Sequence, residues 1–203
     1  MKVAIVGGTG PFGTALATRL AAEHEVVLGS RDAERARETA ARLGVSGRRN
    51  EEAVGGVDIV VLAVVAGAAL ATAQELRSLI GGTPVLSVAS ELEFAGGSAR
   101  PVRGTHSLAE RIAEVVEAPV AAGLHSLAAG KLAESRPDED AFVCGKREAK
   151  DLALELAQSV VAGRAIDVGP LAVARALEGM TAAILNVNRR YKVHAGLRVT
   201  GFS

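Results

Sequence analysis

An α/β fold with a doubly wound parallel sheet is what the sequence predicts, on three observations. Short apolar runs alternate with longer segments of helical periodicity along most of the 203 residues. The run Asp58-Ile59-Val60-Val61-Leu62-Ala63-Val64 is continuous rather than alternating, the pattern of a parallel strand covered on both faces. The first run ends in glycines spaced Gly8-x-Gly10-x-x-Gly13, and a helical pattern begins at once. Such strand–helix alternation implies right-handed crossovers that lay the strands side by side in one sheet.

Residues 2–6 read as the first strand, and a helix over about 12–22 leads to a second strand at 25–28. Asp32 caps a second helix that runs to Leu43 and stops at Gly44. Val45-Ser46 reads as a minimal third strand, 58–64 as the next, and Ala68 to Ile80 as a helix broken by Gly81-Gly82. Pro84 to Val88 is a further strand. Ser90 to Thr105 is rich in Gly, Ser and Arg without periodicity, so it reads as a surface loop. Its place after a strand's carboxyl end also makes it a wall of any site there. Ser107-Leu108-Ala109-Glu110 is a capping box opening a helix to about Val116. Pro119 to Ala122 and Ala141 to Cys144 read as strands, with a loop carrying His125 between them. Ala149 to Val160 reads as a helix, Ala165 to Val168 as the last strand, and Leu171 to about His194 as one long helix with an apolar face. No linker marks independent domains. The expectation is a nucleotide-binding core over 1–120, with a smaller C-terminal α/β part, 121–203, packed on it.

The glycine turn carries the first chemistry. Gly8 permits a tight turn, Gly10 lets the backbone approach a pyrophosphate, and Gly13 lets the new helix pack against the strand. The pyrophosphate then rests on unpaired N–H groups at the positive end of the helix. A glycine triplet alone is weak; the strand before it and the helix after it make this a Rossmann-type dinucleotide site. NAD sites usually end the second strand in an acid that accepts from the ribose 2′-hydroxyl. Here Glu25-Val26-Val27-Leu28 ends in Gly29-Ser30-Arg31. Ser30 can donate to a 2′-phosphate, Arg31 offers a planar guanidinium, and Arg35 adds a second cation one turn on. The nucleotide is therefore read as NADP. The plainer alternative makes Arg31 and Arg35 solvated residues paired with Glu34 and Glu38.

Composition excludes other classes. Lys and Arg number 23, as do Asp and Glu, so no net charge drives binding to nucleic acid or to a membrane surface. There is no Trp, one Tyr and four Phe, which removes stacking platforms for single strands. The single Cys144 excludes an internal disulfide and suits a reducing cytoplasm. Following Phe142-Val143, it reads as a small apolar strand residue rather than a nucleophile. The N-terminus lacks a signal-peptide pattern, the run Ile59 to Ala73 is too short to cross a bilayer, and no metal site is expected.

Several segments together resemble the NADPH-dependent reductases of coenzyme F420, an 8-hydroxy-5-deazaflavin. They are Val6-Gly7-Gly8-Thr9-Gly10 with Gly13, Gly29-Ser30-Arg31, Asn50-Glu51-Glu52-Ala53, Leu124-His125 and Val143-Cys144-Gly145. The later ones are Asp167-Val168-Gly169-Pro170-Leu171, Arg175, Glu178, Ile184-Leu185-Asn186 and Gly196-Leu197-Arg198-Val199. The resemblance implies NADP and F420 as the two substrates of a hydride exchange. It assigns Thr9, Gly10, Pro11 and Phe12 to the pyrophosphate and Ser30, Arg31 and Arg35 to the 2′-phosphate. Val64 and Val65 would flank the nicotinamide, and His125 would line the meeting place of the two rings. It also implies a homodimer, which would bury the long helix. This chain departs from the family where the second ring should lie. Val65, Ala66 and Ala68 stand where the family has a Pro-Trp pair and a His; Ala89-Ser90-Glu91 replaces a Pro-rich turn, and Ala128-Ala129 a Pro-Ala.

Hydride transfer needs two flat rings held about 3–3.5 Å apart, and the rings carry the chemistry. His125 is the expected catalytic residue, hydrogen-bonding the ring or assisting a proton transfer, against a plain structural role in its loop. Arg189, Arg190, Lys192 and Arg198 read as a basic cluster able to attract the phosphate and glutamate tail of F420, or to complement the helix end. The alternatives are an NADP-dependent reductase of another flavin-like, carbonyl or imine acceptor, and a non-catalytic NADP-binding module.

Overall fold

The computed structural model describes residues 1–202. In chain order its elements begin β1 (Lys2–Val6), α1 (Pro11–Leu20), β2 (Glu25–Ser30), α2 (Ala33–Leu43), β3 (Ser46–Arg49) and the single-turn α3 (Asn50–Ala53). Then follow β4 (Ile59–Leu62), α4 (Ala66–Ile80), β5 (Val85–Ser87), β6 (Leu92–Ala95), β7 (Ser98–Pro101) and α5 (Leu108–Val115). The chain closes with β8 (Val120–Gly123), α6 (Ala129–Glu134), β9 (Ala141–Gly145), α7 (Arg147–Val160), β10 (Ala165–Asp167) and α8 (Ala174–Tyr191). One sheet runs β10-β9-β8-β5-β4-β1-β2-β3, and β6 and β7 form a separate hairpin.

Periodicity of two explains how β1 anchors both sides of that sheet. Val3 and Ile5 point to one face, where Leu16 and Leu20 of α1 and Leu28 cover them. Ala4 and Val6 point to the other, against Leu62, Leu76, Ile80 and Ile112. β1 pairs in parallel with β2 on one side and β4 on the other, so each of its residues from Val3 to Val6 is buried. Helix ends follow the local rules. Asp32 accepts from Glu34 and Arg35 amides, Gly44 closes α2 at φ 68°, and Ser107 and Glu110 form both halves of the capping box.

The structure differs from the sequence reading at five places. Residues 90–105 are not a plain loop: Gly96 and Gly97, at φ 55° and 78°, turn β6 into β7 as a hairpin. β3 extends to Arg49, and α3 and α6 are additional short helices of four and six residues. β9 is antiparallel to β8, while every other pairing in the large sheet is parallel. The last helix starts at Ala174 after a 3-10 turn over Leu171–Val173, and ends at Tyr191 with Lys192 at φ 53°. No helix among the described residues is long and apolar enough to cross a membrane. No group of three or more His, Cys, Asp or Glu among them is placed to hold a metal ion. Cys144 is fully buried, and burial pushes its thiol up to about 12.

Candidate active site

β1 and β4 lie side by side although two strands separate them in sequence, so the sheet reverses direction there and leaves a crevice beyond their carboxyl ends. A cavity of about 840 Å³ opens at that point. Its first wall is made mainly of backbone. Gly7 adopts φ 80°, and the N–H groups of Gly7 and Gly8 both donate to the Gly29 carbonyl, at 3.1 and 3.0 Å. A Cβ on Gly13 would lie 2.7 Å from the Gly7 oxygen and 2.8 Å from the Gly8 Cα. A Cβ on Gly8 would lie 2.6 Å from the Leu28 side chain. Gly8 and Gly13 therefore shape the turn from behind, while Thr9, Gly10, Pro11 and Phe12 line the cavity. Gly10 caps α1 with no side-chain acceptor and Pro11 occupies the first turn, so the first-turn N–H groups keep their capacity for an anion.

The end of β2 supplies the next group. Ser30 is buried, and its hydroxyl oxygen accepts from the Asp32 amide at 3.2 Å, which leaves its proton free to donate. Arg31 and Arg35 line the cavity, and neither forms an ion pair among the described residues. Glu34 instead sits 3.9 Å from Arg37, and Asp32 is occupied by the two amides of α2 that it caps. Two unpaired guanidiniums and a free hydroxyl donor beside the glycine turn fit a phosphate ester better than a ribose diol.

The opposite wall is assembled from side chains of distant segments. Val64 and Val65 follow β4, Ala89 and Ser90 follow β5, Leu124, His125 and Leu127 follow β8, and Thr181 comes from α8. Leu124 is buried at φ 64°, a conformation rare for a branched residue, and donates to Phe142 O while accepting from Leu127 N. That turn carries His125, whose ring is buried and makes no hydrogen bond through either nitrogen. Burial pushes its pKa down to about 4, offset only in part by the polar backbone of Ala89, which approaches the ring without meeting hydrogen-bond geometry. The imidazole is thus neutral at physiological pH, with one N–H donor and one acceptor nitrogen to offer.

Helix α8 ties this wall together at three levels. Glu178 accepts from the Leu108 amide at 2.8 Å, which fixes α8 to the start of α5, and burial raises its pKa to about 7. Thr181 donates to the His125 carbonyl at 2.8 Å and meets the Ser90 hydroxyl at 2.7 Å. Asn186 accepts from and donates to the Ala99 backbone at 2.8 and 2.7 Å, holding the hairpin.

The structure brings Thr9, Gly10, Pro11, Phe12, Ser30, Arg31, Arg35, Val64, Val65 and His125 to one cavity. It does not bring the four basic residues of the C-terminus there. None of Arg189, Arg190, Lys192 and Arg198 lines the cavity, and Arg198 is paired with Asp138 at 3.0 Å. Arg189 and Arg190 sit in the exposed last turn of α8, with the Arg189 guanidinium beside Gly97. Arg198 is displaced by the reversal at Lys192, after which the chain runs back past the start of β9, where Leu197 O accepts from Asp140 N and Val199 N donates to Asp140. Sequence reasoning placed Ser90 at the start of a wall-forming loop but did not single out Asn50, Leu124, Leu127 or Thr181 as lining residues. Asn50 and Leu124 lie within segments of the family resemblance, whereas the apolar stripe of α8 gave no sign that Thr181 faces a cavity.

Residues 2–91 match a family model described as coenzyme F420-dependent NADP oxidoreductase. The chain is 36% identical to the F420-dependent NADP reductase of Methanothermobacter thermautotrophicus, over 98% of this chain and 95% of that protein. It is 32% identical to the F420-dependent NADP reductase of Methanocaldococcus jannaschii, over 98% of both. Among solved structures, a proposed F420-dependent NADP reductase from Arthrobacter sp. FB24 superposes with a TM-score of 0.86 at 24% identity, covering 99% of this chain and all of that one. That likeness establishes the fold.

Proposed function

The chain belongs to the family of F420-dependent NADP reductases, and from that premise we propose how its cavity moves hydride between NADP(H) and F420. One cavity with a phosphate-binding end and a ring-binding end carries the reading. The glycine turn and the first turn of α1 bind the pyrophosphate through backbone N–H groups. Ser30, Arg31 and Arg35 bind the 2′-phosphate, which makes NADP rather than NAD the nucleotide. Val64 and Val65 flank the nicotinamide, and residues 121–203 close the other side, after a nucleotide-binding part over 1–120.

When bound, the nicotinamide and the deazaflavin supply the hydride donor and acceptor. The chain's own work is to hold, orient and shield. Leu124, Leu127 and Val64 exclude water from the space between the rings. His125, as a neutral imidazole, donates its N–H to a ring atom that gains electron density on reduction; buried donors aimed at developing charge are worth most in such a setting. With its pKa near 4 it does not serve as a store of protons at neutral pH. Thr181 fixes the His125 backbone and so the direction of that N–H. Small residues at Ala66, Ala68 and Ala89 leave the ring-binding end wide.

A homodimer is supported by α8, where Val187 and Tyr191, one turn apart on one face, are 40% and 66% exposed. Sedimentation should give twice the chain mass. A cytoplasmic setting is supported by the single buried thiol. The activity is tested by mixing the protein with NADPH and oxidised F420. Deazaflavin absorbance should fall in step with NADPH consumption; bound NADPH with unchanged deazaflavin would overturn the reading.

A further inference from the structure

Asn50 opens α3 directly after β3, and the pairing of Ser30 with Arg49 sets it beside the end of β2. The residue lines the cofactor cavity, yet it is only 6% exposed, and its Oδ1 is buried without a hydrogen-bond partner. A Cβ on Gly29 would lie 2.8 Å from that oxygen, so the amide rests against the residue whose carbonyl holds Gly7 and Gly8. Gly29 thus serves two purposes: it bonds the glycine turn and leaves room for Asn50. A buried amide oxygen with no donor is destabilising, and turning the amide over exchanges its oxygen and nitrogen, so that a group in the cavity can donate to the oxygen.

The position of the amide says which ligand group that is. On one side of it lies the glycine turn, the pyrophosphate end; on the other lie Ser30 and Arg31, the 2′-phosphate end. In NADP those two groups are joined through the adenosine ribose, whose 3′-hydroxyl is both donor and acceptor. An amide is its complement in either orientation of the oxygen and nitrogen. We propose that Asn50 is the ribose-binding residue of this site, its side-chain amide pairing with the 3′-hydroxyl of the 2′-phosphorylated ribose. The inference rests on the NADP reading of the cavity.

The test uses calorimetric titration of the whole protein with adenosine 2′,5′-bisphosphate and with its 3′-deoxy analogue, which need no hydride transfer. Wild type should bind the parent about three- to tenfold more tightly, the worth of one neutral hydrogen bond. Asn50→Ala should bind both ligands within twofold of each other, at the wild type's level for the 3′-deoxy compound. If Asn50→Ala discriminates as wild type does, the inference is overturned while the NADP reading stands. If wild type binds neither ligand, the NADP reading falls and the inference with it. Asn50→Asp keeps the shape and an acceptor, so it serves if the alanine variant does not fold. It should retain the 3′ discrimination but bind both bisphosphates more weakly through repulsion, with a smaller loss for adenosine 5′-monophosphate. Wild-type affinity of Asn50→Asp for all three ligands would overturn the inference as well.

Discussion

The two walls of the cavity are built by different means. The nucleotide wall is a run of main chain within the first third of the sequence, held by Gly7 and Gly8 donating to Gly29 and by helix–strand contacts too close for any Cβ. The ring-binding wall is made of side chains from segments 56 to 91 residues apart, joined through Thr181, Asn186 and Ser90. One wall leaves no room for a side chain at Gly7, Gly8 or Gly13. The other is lined by small side chains, among them Val64, Val65, Ala66, Ala68 and Ala89, and is held together by the clamps of α8.

The sharpest way to break this contrast is Gly13→Ala. Its Cβ would press on backbone atoms of Gly7 and Gly8, which have nowhere to move, so kcat/KM should fall on the order of 100-fold, with weaker NADPH binding. Near-normal kinetics would show that the turn is not rigid. Next in size is Arg31→Ala, where loss of a charge-assisted pair should weaken NADPH about 10- to 100-fold and NADH less than about twofold. Equal losses in the two titrations would remove Arg31 from the 2′-phosphate.

On the ring-binding wall, His125→Phe should slow single-turnover hydride transfer about tenfold and leave the NADPH dissociation constant unchanged. Because burial holds His125 near 4, the transfer rate should show no histidine-dependent step between pH 6 and 8 in wild type. A step in that range that disappears in His125→Phe would mean the imidazole titrates and acts in proton transfer.

The smallest effect concerns α8. Glu178 titrates near 7 when folded, against 4.5 for an ordinary glutamate, so the folded chain keeps a proton that the unfolded chain has released between those values. Its contribution to stability therefore falls as pH rises from 4.5 to 7 and is flat beyond. Glu178→Gln keeps an acceptor for the Leu108 amide without the charge. It should match wild type near pH 4.5 and exceed it by about 1–3 kcal/mol at pH 8 in denaturant melts. A variant less stable than wild type at pH 8 would show that the carboxylate is needed charged.

What was legible in the sequence follows the same division. The glycine spacing, the Asp32 cap and the Ser107–Glu110 capping box act over at most a few residues, and each could be read from its own segment. The hairpin at Gly96-Gly97 is equally local, but its strands carry Glu, Ser and Arg without clear alternation and so read as loop. Asn50 and Thr181 gained a place in the cavity only when the sheet and α8 set them around one space, whereas Ser90 was already placed in a wall by its position after a strand's carboxyl end. The basic residues near the C-terminus divide for the opposite reason: sequence proximity suggested one cluster, but Arg189 and Arg190 stand in the last turn of α8, where they complement the helix end, while the reversal at Lys192 carries Arg198 away to Asp138.

The most direct measurement starts from NADPH carrying deuterium at both C4 positions, mixed with oxidised F420 and the protein in ordinary water. If the two walls hold the rings face to face, the reduced deazaflavin retains one deuterium per hydride transferred, and a primary isotope effect appears in single-turnover rates. Reduced deazaflavin carrying only solvent protium, or no reduction although NADPH binds, would contradict direct transfer across this cavity.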